Sequence, residues 1–227
     1  MADSAHHAST PPLGKRAEKR RRDVRAIVDA TRKLADDGGF EGVRLRDVAA
    51  NANVSMGALY RCFQSKEEIL LYAFAEDFTG LEQRVAARPP EGATPLDRVE
   101  AFFRVATRGV VQRPNYGKAL IAATASGQLA AARQMATLHA RMSHLIATTM
   151  FDESSRAEPS DAEFDASGVA AGALNRVWFS ALIAWASGFR TIDEIIVEIR
   201  NTAALLLLGV DAQHERHHSA AAGRRSS

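Results

Sequence analysis

Helical periodicity leaves this chain almost no choice of fold class. From Val24 to Leu207 apolar residues recur every three or four positions, and no segment alternates apolar with polar over a strand's length. Val24, Ile27, Val28, Thr31, Leu34 and Ala35 mark one face of a first helix, which Gly38-Gly39 stops. Two short helices are expected over 45–51 and 56–63, separated by Ala52-Asn53-Val54-Ser55. Ser65-Lys66-Glu67-Glu68 has the pattern of a capping box, opening a long helix that carries Ile69, Ala73, Leu81 and Val85 and breaks at Arg88-Pro89-Pro90. Thr94-Pro95 starts the next helix, with threonine as cap and proline in the first turn. Further helices are expected over 95–112, 117–125 and 127–150. Ser160 to Glu163 forms a second box, opening a helix that Gly188 ends. Thr191-Ile192-Asp193-Glu194 starts a last helix whose stripe is Ile195, Ile196, Ile199, Ala203, Leu206 and Leu207. The expectation is an all-α chain of nine helices in two parts.

Boundaries follow from composition. Residues 1–14 and 211–227 are rich in Ala, Ser, His, Arg and Pro without periodicity, and both read as disordered tails. Between them, 15–66 forms one part and 67–210 the other, with 227 residues enough to bury a sizeable core. A single cysteine excludes an intramolecular disulfide and a Cys-based zinc cluster. The first fourteen residues hold no apolar run of the secretory type, so a cytoplasmic protein is expected. The run 167–189 is long enough for a membrane span, but Arg176 near its middle costs roughly 2.5–3.5 kcal/mol on insertion. A buried helix, and no membrane partner, is the expectation.

Net charge is only +2, yet it is unevenly placed. Residues 15–66 hold thirteen Lys/Arg against seven Asp/Glu, leaving the remainder close to neutral or acidic. A basic segment beside a neutral body is the electrostatic footprint of nucleic-acid binding, although a run such as 15–25 is equally compatible with a solvated arm.

Residues 45–63 read as a helix-turn-helix. Ala49 supplies the small residue where two steeply crossing helices meet, and Asn53 tolerates the positive φ of the tight turn. Val54 and Leu59 project back toward Val48, and Ser55 caps the second helix so that its free N–H groups point outward. The wider run Arg25-Ala26-Ile27, Ala30, Leu34, Gly39-Phe40, 43–49, 52–55, Gly57, Leu59-Tyr60, Phe63 and Lys66 resembles the TetR family of one-component transcriptional regulators. Two positions depart from that pattern, Asn53 where glycine is usual and Cys62 where histidine or tyrosine is frequent.

The resemblance implies an N-terminal helix-turn-helix DNA-binding domain and a C-terminal helical domain that dimerises and binds an effector. Carried over, it places Ser55, Met56, Gly57 and Ala58 in the major groove and assigns Tyr60 and Lys66 to phosphate. Arg61 would reach guanine or phosphate, and Arg44 and Arg46 the backbone of double-stranded DNA. A homodimer paired through 177–186 and 205–208 would recognise a near-palindromic operator. Lining the effector site, the candidates are Phe102, Phe103, Tyr116, Leu120, Met135, Leu138, Met142, Trp178 and Phe179, each of which is also compatible with plain core. Residues 101–150 and 166–190 contain no Asp or Glu, which suits an apolar, neutral or anionic small molecule better than a cation. Residues 39–71 and 93–99 are further similar to actinobacterial regulators of sterol and lipid catabolism, which implies an acyl or steroid CoA thioester and a ligand-relieved repressor.

No constellation for catalysis, a metal or a cofactor is expected. Cys62 stands alone, and His214, His217 and His218 lie in a tail. His139 and His144 do not share a helical face, while the glycine-rich 38–42 follows a helix and not a strand. The competing classes are an enzyme on a helical scaffold and an architectural DNA-binding protein that needs no ligand.

Overall fold

The computed structural model describes the backbone of residues 13–125, 129–150 and 161–225, all of it helix or connecting turn. In order, the helices are α1 Leu13–Gly42, α2 Leu45–Asn51, α3 Met56–Cys62, α4 Lys66–Ala87, α5 Pro95–Val111, α6 Pro114–Thr124, α7 Leu129–Met150, α8 Asp161–Ala186 and α9 Ile192–Arg225. The first three form a small head on α4, and α4 continues into a bundle with α5–α9. The extensive packing of α1 on α6 joins head to bundle. A single apolar core runs from Ile27, Val48 and Leu59 in the head through Ile69 and Phe102 to Ile146, Leu174, Leu182 and Ile195.

Local chemistry sets the ends of these helices. Gly39 takes φ 63°, so α1 kinks there, and the turn brings the Val43 N–H to the Phe40 carbonyl. Thr94 and Asp97 form a reciprocal capping box, as do Thr191 and Glu194. At Ser65 the expected box is only half made. Ser65 Oγ accepts the Glu68 N–H, but the Glu68 carboxylate accepts the Gln64 N–H at 2.6 Å. Gly188, at φ 80°, closes α8, with its own N–H on the Trp185 carbonyl and the Phe189 N–H on that of Ala184, the paired bonds of a Schellman turn. The expected box at Ser160 lies outside the described residues.

Three boundaries are corrected. α6 begins at Pro114, three residues ahead of the expected 117, because proline at the first helical position supplies the right φ and loses no needed N–H. The stretch expected as a tail from 211 is helical as far as Arg225, and Leu13 and Gly14 belong to α1. Between 211 and 222 there is no proline or glycine, and Ala, Gln, Glu and Arg all favour helix, so Gly209 alone does not stop α9.

The apolar run 167–189 falls on α8 and the turn that closes it. By length and composition 166–186 passes as a membrane span. In the fold, α8 packs against α6, α7 and α9 and buries Ala170, Ala171, Leu174, Trp178, Ala181 and Leu182.

Candidate nucleic-acid interface and effector cavity

In the head, α2 and α3 cross at Ala49, which is buried, and the Val54 N–H bonds its carbonyl at 3.0 Å. Asn53 is the single non-glycine residue with positive φ among the described residues, at 53°. This is the left-handed conformation that asparagine adopts more readily than other side chains. Ser55 Oγ accepts the Ala58 N–H at 3.2 Å, fixing the start of α3. Val48, Leu59 and Phe63 are buried beneath, so the two helices are held by packing from behind and leave their outer edge in solvent.

That outer edge carries Arg44, Arg46, Ser55, Gly57, Tyr60 and Arg61 exposed, with Met56 half-buried. Ala58 is a correction to the expected set. It is only 5% exposed and sits on the face of α3 turned toward α1, because Leu59 and Ala58 together form the inner side of a seven-residue helix. A Cβ at Gly57 would meet nothing closer than an Arg61 guanidinium nitrogen at 3.7 Å, so the chain itself does not require glycine there. Cys62 is a half-buried free thiol.

Lys66 differs from the expected phosphate contact. Its Nζ donates to the Phe40 carbonyl at 3.0 Å and lies 3.8 Å from the Phe40 ring centroid, with Glu41 also near. A cation at a helix start is disfavoured by the dipole. Here the carbonyl and the ring face of the kinked turn offset that, twenty-six residues away in sequence. Lys66 thus ties the start of α4 to the end of α1.

Many cations of the head lack a partner in the chain, Arg32 of α1 being an exception with Asp29, Glu76 and Asp77. Among the described residues, Arg16, Arg20, Arg21, Arg22, Arg25, Arg44, Arg46 and Arg61 make no ion pair, and of the run 15–25 only Lys19 does, with Asp23. Several arginines elsewhere are engaged. Arg113 pairs with Asp36, Arg141 with Glu82, Arg200 with Glu100 and Arg190 with Glu198, while Arg98 donates to the last carbonyls of α7. Because the run 15–25 is continuous α1 helix, its arginines project from a rigid rod and not from an extended arm.

Inside the bundle lies a partly open cavity of about 70 Å³. Of the nine expected lining residues, Leu120, Met135, Leu138, Met142, Trp178 and Phe179 line it. Phe102 and Phe103 do not. Both are wholly buried in core packing, edge to face, with Phe103 against Trp178. Tyr116 also points elsewhere, donating its hydroxyl to Asp77 Oδ2 at 2.7 Å. Burial, then the Asp77 carboxylate, pushes the Tyr116 phenol well above its ordinary pKa, so it stays a donor.

The wall that the sequence did not reveal is α4, which contributes Phe74, Asp77, Phe78, Leu81 and Arg84. Phe74, Phe78 and Leu81 have the i, i+4, i+7 spacing of one helical face, which was the available signal. Asp77 corrects the expectation of a wall free of carboxylates. Its charge is met by Arg32, which donates to Oδ1 at 2.8 Å, and by Tyr116 on Oδ2, so no bare anion faces the cavity. Also missed were His139 and Asn175, which meet across α7 and α8 with 3.1 Å between Asn175 Nδ2 and His139 Nδ1. Burial, then Arg176, lowers the His139 pKa and keeps its ring neutral at pH 7. Arg84 is exposed beside the opening.

Comparison with known proteins covers both halves. Residues 27–73 match the family described as "Bacterial regulatory proteins, tetR family", and residues 92–206 match "Tetracyclin repressor-like, C-terminal domain". Over 195 residues, 86% of each chain, the protein is 32% identical to the HTH-type transcriptional repressor KstR of Rhodococcus jostii. A crystal structure of a TetR transcriptional regulator from Rhodococcus sp. RHA1 superposes with a TM-score of 0.69 at 25% identity, covering 84% of this chain and 97% of the other. The Thermus thermophilus repressor FadR, solved in complex with lauroyl-CoA, shares the fold with a TM-score of 0.57 at 21% identity, over 83% and 93% of the two chains.

Proposed function

Since the chain belongs to the TetR family of bacterial transcriptional regulators, we propose that it is a homodimeric repressor released from a near-palindromic operator when an apolar or anionic small molecule enters the bundle cavity. The family assignment makes it a DNA-binding transcriptional repressor and not an enzyme. What remains to be assigned is its ligand, its surface for DNA and its partner copy.

The observation that carries the proposal is that one helix serves both sites. α4 starts at Lys66, four residues after α3 ends, and eight to eighteen residues later supplies a wall of the cavity. At 1.5 Å per residue, Lys66 and Phe78 are about 18 Å apart along a continuous rod, so tilting the rod at one end displaces the other. On DNA, Ser55, Met56, Gly57, Tyr60 and Arg61 would enter the major groove, with Arg44 and Arg46 on the backbone, while Lys66 braces α4. The absence of any internal need for glycine at Gly57 fits close approach by an external surface. Exposed apolar residues on the outer sides of α8 and α9, above all Val169, Leu205 and Leu208, supply the face through which a second copy would pair. Such pairing would set the two α3 helices about one DNA turn apart.

For the ligand, apolar walls, an internally neutralised Asp77 and the exposed Arg84 at the opening favour a hydrophobic body with an anionic head, which an acyl or steroid CoA thioester provides. The lauroyl-CoA bound by the T. thermophilus relative has that chemistry. Fluorescence anisotropy on duplex DNA from upstream of the gene, beside a scrambled duplex, tests the proposal. The expected preference is about 10³-fold or more. Saturating lauroyl-CoA should then weaken operator binding, and a hundredfold change needs about 2.7 kcal/mol of differential binding. Equal affinity for both duplexes would favour the architectural alternative. An operator affinity indifferent to lauroyl-, longer acyl- and steroid-CoA would remove the ligand.

A further inference from the structure

The cavity wall is apolar except at a few atoms, and hydrogen bonding within the chain accounts for most of those. Asp77 is taken up by Arg32 and Tyr116. The indole N–H of Trp178 donates away from the cavity, to Thr107 Oγ1 at 2.9 Å. Asn175 is different. It is 2% exposed, and its amide nitrogen donates to the His139 carbonyl at 3.0 Å and lies within reach of Ser143 Oγ at 3.3 Å and His139 Nδ1 at 3.1 Å. A backbone carbonyl only accepts, so the amide orientation is fixed with its nitrogen toward α7. Asn175 Oδ1 then has no donor among the described residues.

The same bonds define the histidine. An amide nitrogen can only donate, so His139 Nδ1 must be the bare nitrogen and the proton of the neutral ring resides on Nε2. Phe179 stands edge-on to the ring at 5.1 Å and holds its plane. His139 Nε2–H likewise has no acceptor among the described residues. Two adjacent residues of the lining therefore keep one unused acceptor and one unused donor. A buried amide oxygen without a partner is costly, and interiors seldom leave one so unless something else completes it.

We infer that Asn175 and His139 form a hydroxyl-recognition site, and that the effector is a hydrophobic molecule carrying an alcohol on the part buried in the cavity. An alcohol satisfies both atoms with a single oxygen, donating to Asn175 Oδ1 and accepting from His139 Nε2–H. A ketone or ester carbonyl would serve only the histidine, and a hydrocarbon would serve neither. The inference rests on the cavity being the effector site, as proposed above, and adds to it the feature that separates one lipid-like ligand from another.

Isothermal titration of the full-length protein with 2-naphthol, 2-acetylnaphthalene and 2-methylnaphthalene tests it, since the three differ only in the polar group. The expected order is naphthol tightest by about tenfold or more over the methyl compound, with the ketone between. In His139→Phe and, separately, Asn175→Leu, the naphthol preference should fall to within about twofold, while 2-methylnaphthalene binding persists. That persistence reports an intact cavity, so a variant that fails to fold is recognised and the other decides. Equal binding of the three probes by the wild-type protein overturns the hydroxyl site but leaves an apolar effector cavity standing. No binding of any probe overturns both.

Discussion

Replacing Tyr116 by phenylalanine should weaken the junction between head and bundle by an amount the structure allows one to work out. The hydroxyl is held on α6, is 4% exposed as a residue, and donates to Asp77 Oδ2 of α4 at 2.7 Å. Arg32 of α1 occupies the other oxygen of the same carboxylate. Tyr116→Phe keeps the ring in place and leaves no orphaned donor, so packing is nearly conserved. What is lost is a hydrogen bond to a charged acceptor, worth about 1.5–3 kcal/mol when fully buried. The Asp77 side chain is 40% exposed, so water replaces part of that bond and the low end applies. For a chain of this size, about 1.5 kcal/mol corresponds to a Tm lower by about 3–6 °C, measured at fixed protein concentration because a dimer's Tm depends on it. Asp77→Asn alone should cost more, since Arg32 then keeps only Glu76 as a carboxylate partner on α4. In the double variant the two losses should overlap, giving a coupling of about 1 kcal/mol or more in a double-mutant cycle by urea unfolding. A Tyr116→Phe protein within 0.5 kcal/mol of wild type, or strictly additive losses, would refute the idea that this carboxylate joins three helices.

Other expectations are more local. Asn53→Gly should leave stability nearly unchanged, whereas Asn53→Val, forced to the same φ of 53°, should lose about 1–2 kcal/mol in denaturant unfolding. Arg44→Ala and Arg61→Ala should each leave Tm unaltered, because neither side chain has an intrachain ion pair. Each should lower the slope of log affinity against log salt by about 1 if it meets a phosphate. His139 has its pKa lowered by burial from an ordinary 6.5, so the unfolded chain takes up its proton first as pH falls. The stability contributed by the neutral ring is therefore complete above pH 6.5 and lost below it. The drop in unfolding free energy between pH 7.5 and 5.5 should be smaller in His139→Phe than in wild type.

What could be seen from the chain alone divides by sequence distance. Ala49, Asn53 and Ser55 act on neighbours within five residues, and the structure finds each where its local chemistry put it. Thr94 with Asp97, and Thr191 with Glu194, were readable for the same reason. The Lys66 contact with Phe40 was not readable, because nothing in the first turn of α4 points to a ring across the head. Asp77 could not be foreseen as a neutralised wall residue, since Arg32 and Tyr116 lie forty-five and thirty-nine positions away. Phe102 and Phe103 illustrate the opposite limit. Two adjacent aromatic residues on an amphipathic helix look the same whether they face a cavity or fill the core, and only the tertiary packing, with Trp178 against Phe103, decides.

The sharing of α4 bears on how such proteins diversify. Exchange of DNA-reading heads between regulators is natural to imagine as a swap at a domain border, but no cut between Lys66 and Ala87 leaves both functions whole. A recombinant that takes the head together with its full supporting helix also takes Phe74, Phe78 and Leu81, and with them one side of the cavity proposed for the ligand. One that cuts before α4 discards the Lys66–Phe40 clasp that orients the head. Chemical preference is thus partly heritable with operator preference, and a lineage that changes its target sequence by recombination should shift its inducer as well.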